Sequence, residues 1–146
     1  MPEKETLERA RRDKREGKAP STQAGEFVRE EIEHVREGKH GARSTKQAIA
    51  IGLSKARRAG VELPPSPNSS EEVKEQATRD MRKARSGKKA AKSSKRSRAT
   101  SKALKREGHS AASRKALSRQ GRTAAKKRSA ASRSRSAKKA AATRKK

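Results

Sequence analysis

The fold is decided by residues 21–60, which read STQAGEFVREEIEHVREGKHGARSTKQAIAIGLSKARRAG. The first half of this stretch places its apolar side chains at helical spacing, at Ala24, Phe27, Val28, Ile32 and Val35. Gly38 follows the last of them, and glycine is the residue that most often ends a helix. We therefore expect an amphipathic helix that begins near a cap at Ser21 and ends at Gly38.

A second amphipathic helix is predicted six residues further on. Ser44 and Gln47 form the capping-box pattern S-x-x-Q, which satisfies free backbone N–H groups at a helix start. The apolar residues of this helix are Ala48, Ile49, Ile51, Leu53 and Ala56. Gly60 followed by Val61 is typical of a Schellman ending, in which Val61 packs back toward Ala56. Because only residues 39–43 separate the two helices, we expect an antiparallel hairpin with a small core.

The flanking residues predict two further helices and a linker. Residues 3–16 favour a short charged helix, since Glu–Arg pairs recur at i,i+4 spacing. Residues 61–68, VELPPSPN, predict a stiff extended linker, because each proline fixes φ and disfavours helix in the residue before it. Ser69 and Glu72 match a second capping box, which would open an amphipathic helix that ends near Gly87.

The last sixty residues, 87–146, are strongly basic. They hold 23 of the 43 lysines and arginines but only one acid, Glu107, which gives them a net charge of +22 out of the +27 of the whole chain. Leu104 and Leu117 are their only large apolar side chains. Residues 102–114 and 115–127 form a 13-residue repeat of Lys-Ala-Leu units, which predicts short helices once bound phosphates cancel the charge. Without a partner, this composition predicts a solvated, disordered tail.

The predicted fold class is mostly α, with a small helical hairpin of two to four helices and a long intrinsically disordered basic C-terminal tail. The expected division is a helical N-terminal region at 1–63 with the hairpin at 21–60, a proline-rich linker at 64–69, an amphipathic helix at 70–86 and the disordered tail at 87–146. The absence of cysteine excludes disulfides and Cys-based zinc sites. No apolar run reaches membrane-spanning length and no signal sequence is evident, so we expect a cytoplasmic protein located at the nucleoid.

Two resemblances support this interpretation. Residues 21–65 resemble a family of small basic bacterial proteins of undefined function. The Lys/Ala/Ser-rich composition of residues 87–146 resembles the tails of linker histones and of the histone-like nucleoid proteins of bacteria. The resemblance implies a bacterial origin and a chromosomal DNA partner, and it brings no catalytic or binding residues.

Few residues suggest chemistry. The loop at 38–46, GKHGARSTK, combines cations with the start of a helix and is therefore a candidate phosphate contact or, alternatively, a plain turn. His34, His40 and His109 are scattered in sequence, so we expect no metal site and no cofactor. Glu30, Glu31 and Glu33 are expected on a solvated helix face. No catalytic constellation is present, and we expect a protein that is not an enzyme.

The predicted function is largely sequence-independent binding of double-stranded DNA, with histone-like nucleoid compaction or protection as its outcome. Phe27, the one aromatic residue, is placed in the core, so bases have no ring on which to stack. RNA binding, and a protein-interaction hairpin with a localising tail, remain alternatives; the hairpin could also mediate self-association, and no membrane partner is expected. The residues expected to contact nucleic acid are Lys39, Arg43, Lys46, Arg57, Arg58, Lys88, Lys89, Lys92, Lys95, Arg96, Arg98, Lys102, Lys105, Arg106, Arg114, Lys115, Arg119, Arg122, Lys126, Lys127, Arg128, Arg133, Arg135, Lys138, Lys139, Arg144, Lys145 and Lys146.

Overall fold

The computed structural model of the chain describes residues 2–87 and 91–145. These ranges contain seven α-helices and one short 3₁₀ turn, and no strand occurs among them. The helices are α1 (Lys4–Arg15), α2 (Pro20–Arg36), α3 (Thr45–Arg58), α4 (Glu71–Ser86), α5 (Ser94–Arg106), α6 (Arg114–Lys126) and α7 (Ala130–Arg144), and the 3₁₀ turn Ser110–Ala112 lies between α5 and α6. No helix in the described ranges combines the length and the apolar character that crossing a bilayer requires.

The hairpin of α2 and α3 is the centre of the fold. α1 packs on α2, and α4 packs on α3. The two hairpin helices approach closely at Gly52, where a Cβ would lie 2.7 Å from the Cα of Val28. Glycine at this position therefore allows the backbones to approach.

Local sequence sets the helix ends. At the end of α3, Gly60 has a φ of 99°, and the Val61 N–H donates to the Ala56 carbonyl over 3.0 Å. This arrangement is a Schellman motif, so the predicted ending at Gly60 and Val61 is confirmed. At the start of α3, Ser44 Oγ accepts from the Gln47 N–H, as predicted, whereas Gln47 Oε1 accepts from the Arg43 N–H.

The start of α4 differs by one residue from the prediction. Ser70, and not Ser69, is the N-cap, and its Oγ accepts from the Val73 N–H. The Ser69 N–H donates to the Ser66 carbonyl and so belongs to the preceding turn. The pair of serines made the two registers equivalent in sequence, and this local turn selects one of them.

Two apolar clusters form the core. One contains Ala10, Ala24, Phe27, Ala56 and Val61, with Leu7, Leu53 and Leu63 packed against it. The other contains Ile32, Val35, Ala42, Ala48, Ala111 and Ala112, with Val28 and Leu117 packed against it. The second cluster therefore joins the hairpin to residues of the basic C-terminal region.

The prediction of a disordered tail, and with it the predicted fold class, is wrong. The described part of residues 87–146 forms α5, α6 and α7, so the described ranges contain seven helices in place of two to four. Ser93, Ser113 and Ser129 each cap one of these helices through an N–H three residues further on. Ala111 and Ala112 are 7 % and 0 % exposed. The order comes from small buried alanines and from serine caps. Composition suggested disorder because alanine and serine are also common in disordered chains.

Candidate nucleic-acid interface

The loop at 38–46 contacts the chain itself. The Gly41 N–H donates to the Leu104 carbonyl over 2.9 Å, and the Ala42 N–H donates to the Gly108 carbonyl over 3.1 Å. These two N–H groups are therefore not available to a phosphate. Of the two alternatives for this loop, the geometry favours a structural turn. The connection between α5 and α6 packs against it.

The cations of this loop differ in their surroundings. Lys39 pairs with Glu37 and Glu3, each over 3.2 Å, and the hydrogen bond to Glu37, followed by that to Glu3, raises the pKa of Lys39. Arg43 lies 3.6 Å from a Glu107 carboxylate oxygen, and its side chain is 82 % exposed. Lys46 is exposed as well. Arg43 and Lys46 thus remain accessible to an anion, whereas Lys39 already has two carboxylate partners.

The two arginines at the end of α3 stabilise the fold. Arg57 is 8 % exposed and donates from Nε to the Leu63 carbonyl over 2.8 Å. Burial lowers the pKa of Arg57 below its usual value. Arg58 donates from Nε to Asp80 over 2.8 Å, which ties α3 to α4. The structure therefore places Arg57 away from any phosphate and engages Arg58 with a carboxylate.

α6 presents a continuous cationic face. A shallow groove along it is lined by Lys115, Ser118, Arg119, Arg122, Thr123 and Lys126. The four cations of this set, at spacings of four, three and four residues, follow one side of the helix for about 16 Å. Leu117 lies half a turn away and packs against the core cluster. α6 therefore rests on the core with one side and directs its cations outward; we call the four cations the α6 face.

Backbone carbonyls hold the α6 face in place on the hairpin. Arg36 Nε donates to the Ala112 carbonyl over 2.8 Å, and Thr45 Oγ1 donates to the Ala111 carbonyl over 2.7 Å. Thr45 is buried. Side chains of α2 and α3 thus fix the turn that leads into α6. The sequence analysis did not predict these two hydrogen bonds. The available signal was the pair Ala111–Ala112, which follows Gly108 and directly precedes the N-cap Ser113.

The remaining predicted contacts are distributed over α5, α7 and the connecting residues. α5 carries six lysines and arginines, α6 five and α7 five, and none of these helices contains an acid. The exposed predicted contacts of this region are Lys92, Lys95, Arg96, Arg98, Lys102, Lys105, Arg106, Arg114, Lys115, Arg119, Arg122, Lys126, Lys127, Arg128, Arg133, Arg135, Lys138, Lys139, Arg144 and Lys145. Lys88, Lys89 and Lys146 lie outside the described residues. In the described ranges α7 makes no extensive packing contact with another helix, so its cations are exposed on all sides of the helix.

A second group of polar residues lies at the end of α2. Glu30 and Glu31 are 2 % and 1 % exposed, so the prediction of a solvated carboxylate face is wrong for both. Glu31 Oε1 lies 2.6 Å from His40 Nε2, and Glu31 Oε2 accepts from Lys55 Nζ over 2.6 Å. His40 Nδ1 lies 2.9 Å from the carbonyl oxygen of Gly41. The burial results from the loop after α2, which folds His40 back over Glu31, and helical periodicity gives no sign of it.

Glu30 and His34 extend this group toward the N-terminus. Glu30 Oε1 accepts from the Glu3 N–H over 2.8 Å, and Glu30 Oε2 is buried without a hydrogen-bond partner among the described residues. His34 Nε2 lies 3.0 Å from a Glu3 carboxylate oxygen and 3.8 Å from Glu30 Oε1. The hydrogen bond from His34, followed by that from Lys39, lowers the pKa of Glu3.

One comparison with known proteins matches the part of the chain that contains the hairpin. A model of a family of unknown function (DUF6496) matches residues 11–67, which run from within α1 to the proline-rich linker. The match includes the buried carboxylates and both histidines at the end of α2, and it stops before α4. Comparisons with curated proteins and with solved structures yield no match.

Proposed function

We propose that this protein binds duplex nucleic acid, with DNA as its first partner, by neutralising phosphates and without sequence preference. The observation that carries the proposal is the α6 face, a row of four cations that have no ion-pair partner within residues 2–87 and 91–145 and that lie on a folded core. α5, which precedes α6 in the sequence, and α7, which follows it, carry further cations. Compaction or protection of the bound DNA is the expected outcome.

The distribution of charge supports phosphate as the ligand. Residues 1–86 balance 20 lysines and arginines against 15 acids, whereas residues 87–146 contain a single acid. Cations that meet phosphates release the condensed counterions of the duplex, and this release supplies most of the affinity of sequence-independent binders. Among the described residues the cations of α5, α6 and α7 form no ion pair with a carboxylate, so they reach a phosphate without first breaking one.

The shape of the face also suits a duplex. An α-helix with its side chains is about 10–12 Å across, close to the width of the major groove of about 12 Å. The cations of the α6 face repeat along the helix axis and can meet phosphates at the edges of such a groove. The α6 face contains no asparagine or glutamine, the side chains that read adenine. These features favour contacts with the backbone over contacts with bases.

The experiment compares two quadruple variants of equal charge. One replaces the α6 face by glutamine, at Lys115, Arg119, Arg122 and Lys126. The matched control replaces four exposed cations of α1 by glutamine, at Lys4, Arg11, Lys14 and Arg15. Fluorescence anisotropy with a labelled DNA duplex gives the dependence of log K on log salt for each protein.

If the α6 face meets phosphates, its variant should lose about 3.6 from the magnitude of the salt slope, since each phosphate contact contributes about 0.9. The α1 control should retain the slope of the wild type. Equal losses in both variants would show that only net charge matters and would contradict a defined interface. Competition with duplex RNA of equal length separates the two nucleic acids: stronger competition by RNA than by DNA would contradict DNA as the first partner.

A further inference from the structure

Three side chains from two segments of the chain converge at the end of α2. Glu31 and His34 lie three residues apart on α2, and His40 comes from the following loop. One carboxylate oxygen of Glu31 and one ring nitrogen of each histidine all lie within 4.8 Å of one another. The two imidazole rings are 6.2 Å apart between centroids. Donor atoms at this separation can reach a common cation with small side-chain movements.

The hydrogen bond of His40 to its own loop fixes which ring nitrogen faces the cluster. Nδ1 lies 2.9 Å from the Gly41 carbonyl oxygen, so Nδ1 carries a proton and donates it there. In the neutral ring Nε2 then presents a lone pair toward Glu31 Oε1, which lies 2.6 Å away. These two atoms are therefore close enough to bind one ion together. Metal-binding histidines typically use the same arrangement, with one nitrogen held by a carbonyl and the other free to coordinate.

Glu30 provides an independent observation. Its carboxylate is 2 % exposed, and its Oε2 has no hydrogen-bond partner among the described residues. Its other oxygen lies 3.8 Å from His34 Nε2, so the carboxylate adjoins the cluster. No lysine or arginine of the described chain forms an ion pair with Glu30. A buried carboxylate with a free oxygen is costly unless a cation compensates it.

We propose that His34, His40 and Glu31 bind one divalent transition-metal ion of the Zn²⁺ class, with a water molecule in the fourth position and the buried Glu30 carboxylate beside His34. The ion lies between His40 Nε2 and Glu31 Oε1. Nε2 and Oε1 separate from 2.6 Å to about 3.3 Å, the spacing of two ligands about 2 Å from a tetrahedral ion. Lys55 stays on Glu31 Oε2, and Lys39 stays on Glu3 beside His34.

The donor set selects the class of metal. Two imidazole nitrogens with one carboxylate oxygen suit zinc and its neighbours in the transition series, whereas magnesium and calcium prefer oxygen ligands alone. Mg²⁺ should therefore not compete for the site. The inference does not depend on nucleic-acid binding, because His34, His40 and Glu31 lie outside the cationic helices.

The test titrates the metal-free full chain with Zn²⁺ alone and follows the heat of binding. The wild type should bind one ion per chain. His34→Gln and His40→Gln should each weaken binding by about 100-fold or more, because each removes a ligand. His109→Gln removes the third histidine, which lies outside the cluster, and should bind as the wild type does. Equal loss in all three variants, or several weak sites per chain, would mean adventitious surface binding and would overturn the proposal.

Two measurements on the wild type remain decisive if a variant fails to fold. Zn²⁺ titration of the wild type in a large excess of Mg²⁺ should give the same affinity as titration without it. Co²⁺ should give the visible absorption bands of a tetrahedral site, and Zn²⁺ should abolish them. Displacement of Zn²⁺ by Mg²⁺, or an octahedral Co²⁺ spectrum, would contradict the geometry proposed here.

Discussion

Gly41 lies so close to Glu107 that a Cβ at position 41 would overlap the Glu107 carbonyl group. The Gly41 N–H meanwhile donates to the carbonyl of Leu104, three residues earlier in the same segment. The end of α5 therefore rests directly on the loop between α2 and α3. This contact joins the basic C-terminal region to the hairpin, and it requires a residue without a side chain at position 41.

Gly41→Ala should release the C-terminal region from the hairpin. The added methyl group collides with backbone atoms of Glu107 and Gly108, which cannot move aside as a flexible side chain could. We expect a lower free energy of unfolding and faster cleavage at Glu107, the one acid of residues 87–146, by a glutamate-specific protease. Gly25→Ala is the matched control, because a Cβ there meets no atom within 4 Å and should stabilise α2 by about 1 kcal/mol. Equal behaviour of the two variants would contradict the contact.

Ala112→Asp should disrupt the second core cluster. Ala112 is 0 % exposed, and a carboxylate at this position would be buried without a partner, at a cost of several kcal/mol. Ala140→Asp makes the same change on the exposed surface of α7 and should leave stability within about 0.5 kcal/mol of the wild type. Urea unfolding followed by circular dichroism measures both. Two unchanged midpoints would show that the 3₁₀ turn is not part of the core.

Asp80→Ala should detach α4 from α3. Asp80 is 0 % exposed and accepts hydrogen bonds from Ser54, Arg58 and Gln76. The loss of these bonds should cost about 2 kcal/mol in the free energy of unfolding, at about 1 kcal/mol for each of the two that join α4 to α3. The surface pair of Glu75 with Arg79 serves as control, and Glu75→Ala should have little effect.

The pH dependence of stability should depend on Glu3. Hydrogen bonds from His34 and then Lys39 lower its pKa in the folded state below the usual 4.5. A group whose pKa is lowered on folding stabilises the protein above its unfolded pKa and loses that contribution as the pH falls through the folded value. Glu3→Gln should therefore have a shallower decline in urea midpoint between about pH 5 and about pH 3 than the wild type. Glu8→Gln, which removes an exposed carboxylate of α1, should decline as the wild type does.

The sequence predicts those parts of the fold that depend on neighbouring residues. The apolar period around Phe27 predicts a helix where α2 lies, and the glycine at position 60 predicts the end of α3. Both are local features of the sequence. The order of residues 91–145 could not be predicted in this way, because it depends on Ala111 and Ala112 meeting α2 and α3 far away in sequence. Alanine is frequent in both ordered and disordered segments, so composition alone favoured the wrong alternative.

The candidate sites could likewise be predicted only where they depend on local sequence. The cations of the α6 face are evident from charge, although their fixed arrangement is not. Glu30 and Glu31 looked solvated, since three acids on one helix usually are. Their burial depends on His40 and Glu3, whose positions are set by loop and chain-end geometry. A helical pattern carries no information about partners that arrive from outside the helix.

The folded C-terminal region also determines how the central claim must be tested. A chain that ends at Gly87 would lose Ala111, Ala112 and Leu117 from the core together with the cations, and so would confuse folding with binding. Substitution of charges in the full chain avoids this difficulty, as does the salt dependence of the intact protein.

The salt dependence of duplex DNA binding by the full chain tests the central claim most directly. If phosphates supply the affinity, log K should fall linearly with log salt between about 50 and about 200 mM, with a slope near −9 for about 10 neutralised phosphates. Unrelated duplexes of equal length should compete almost equally, because contacts to the backbone carry no sequence information. A shallow slope together with a strong preference for one DNA sequence or one RNA fold would contradict the account.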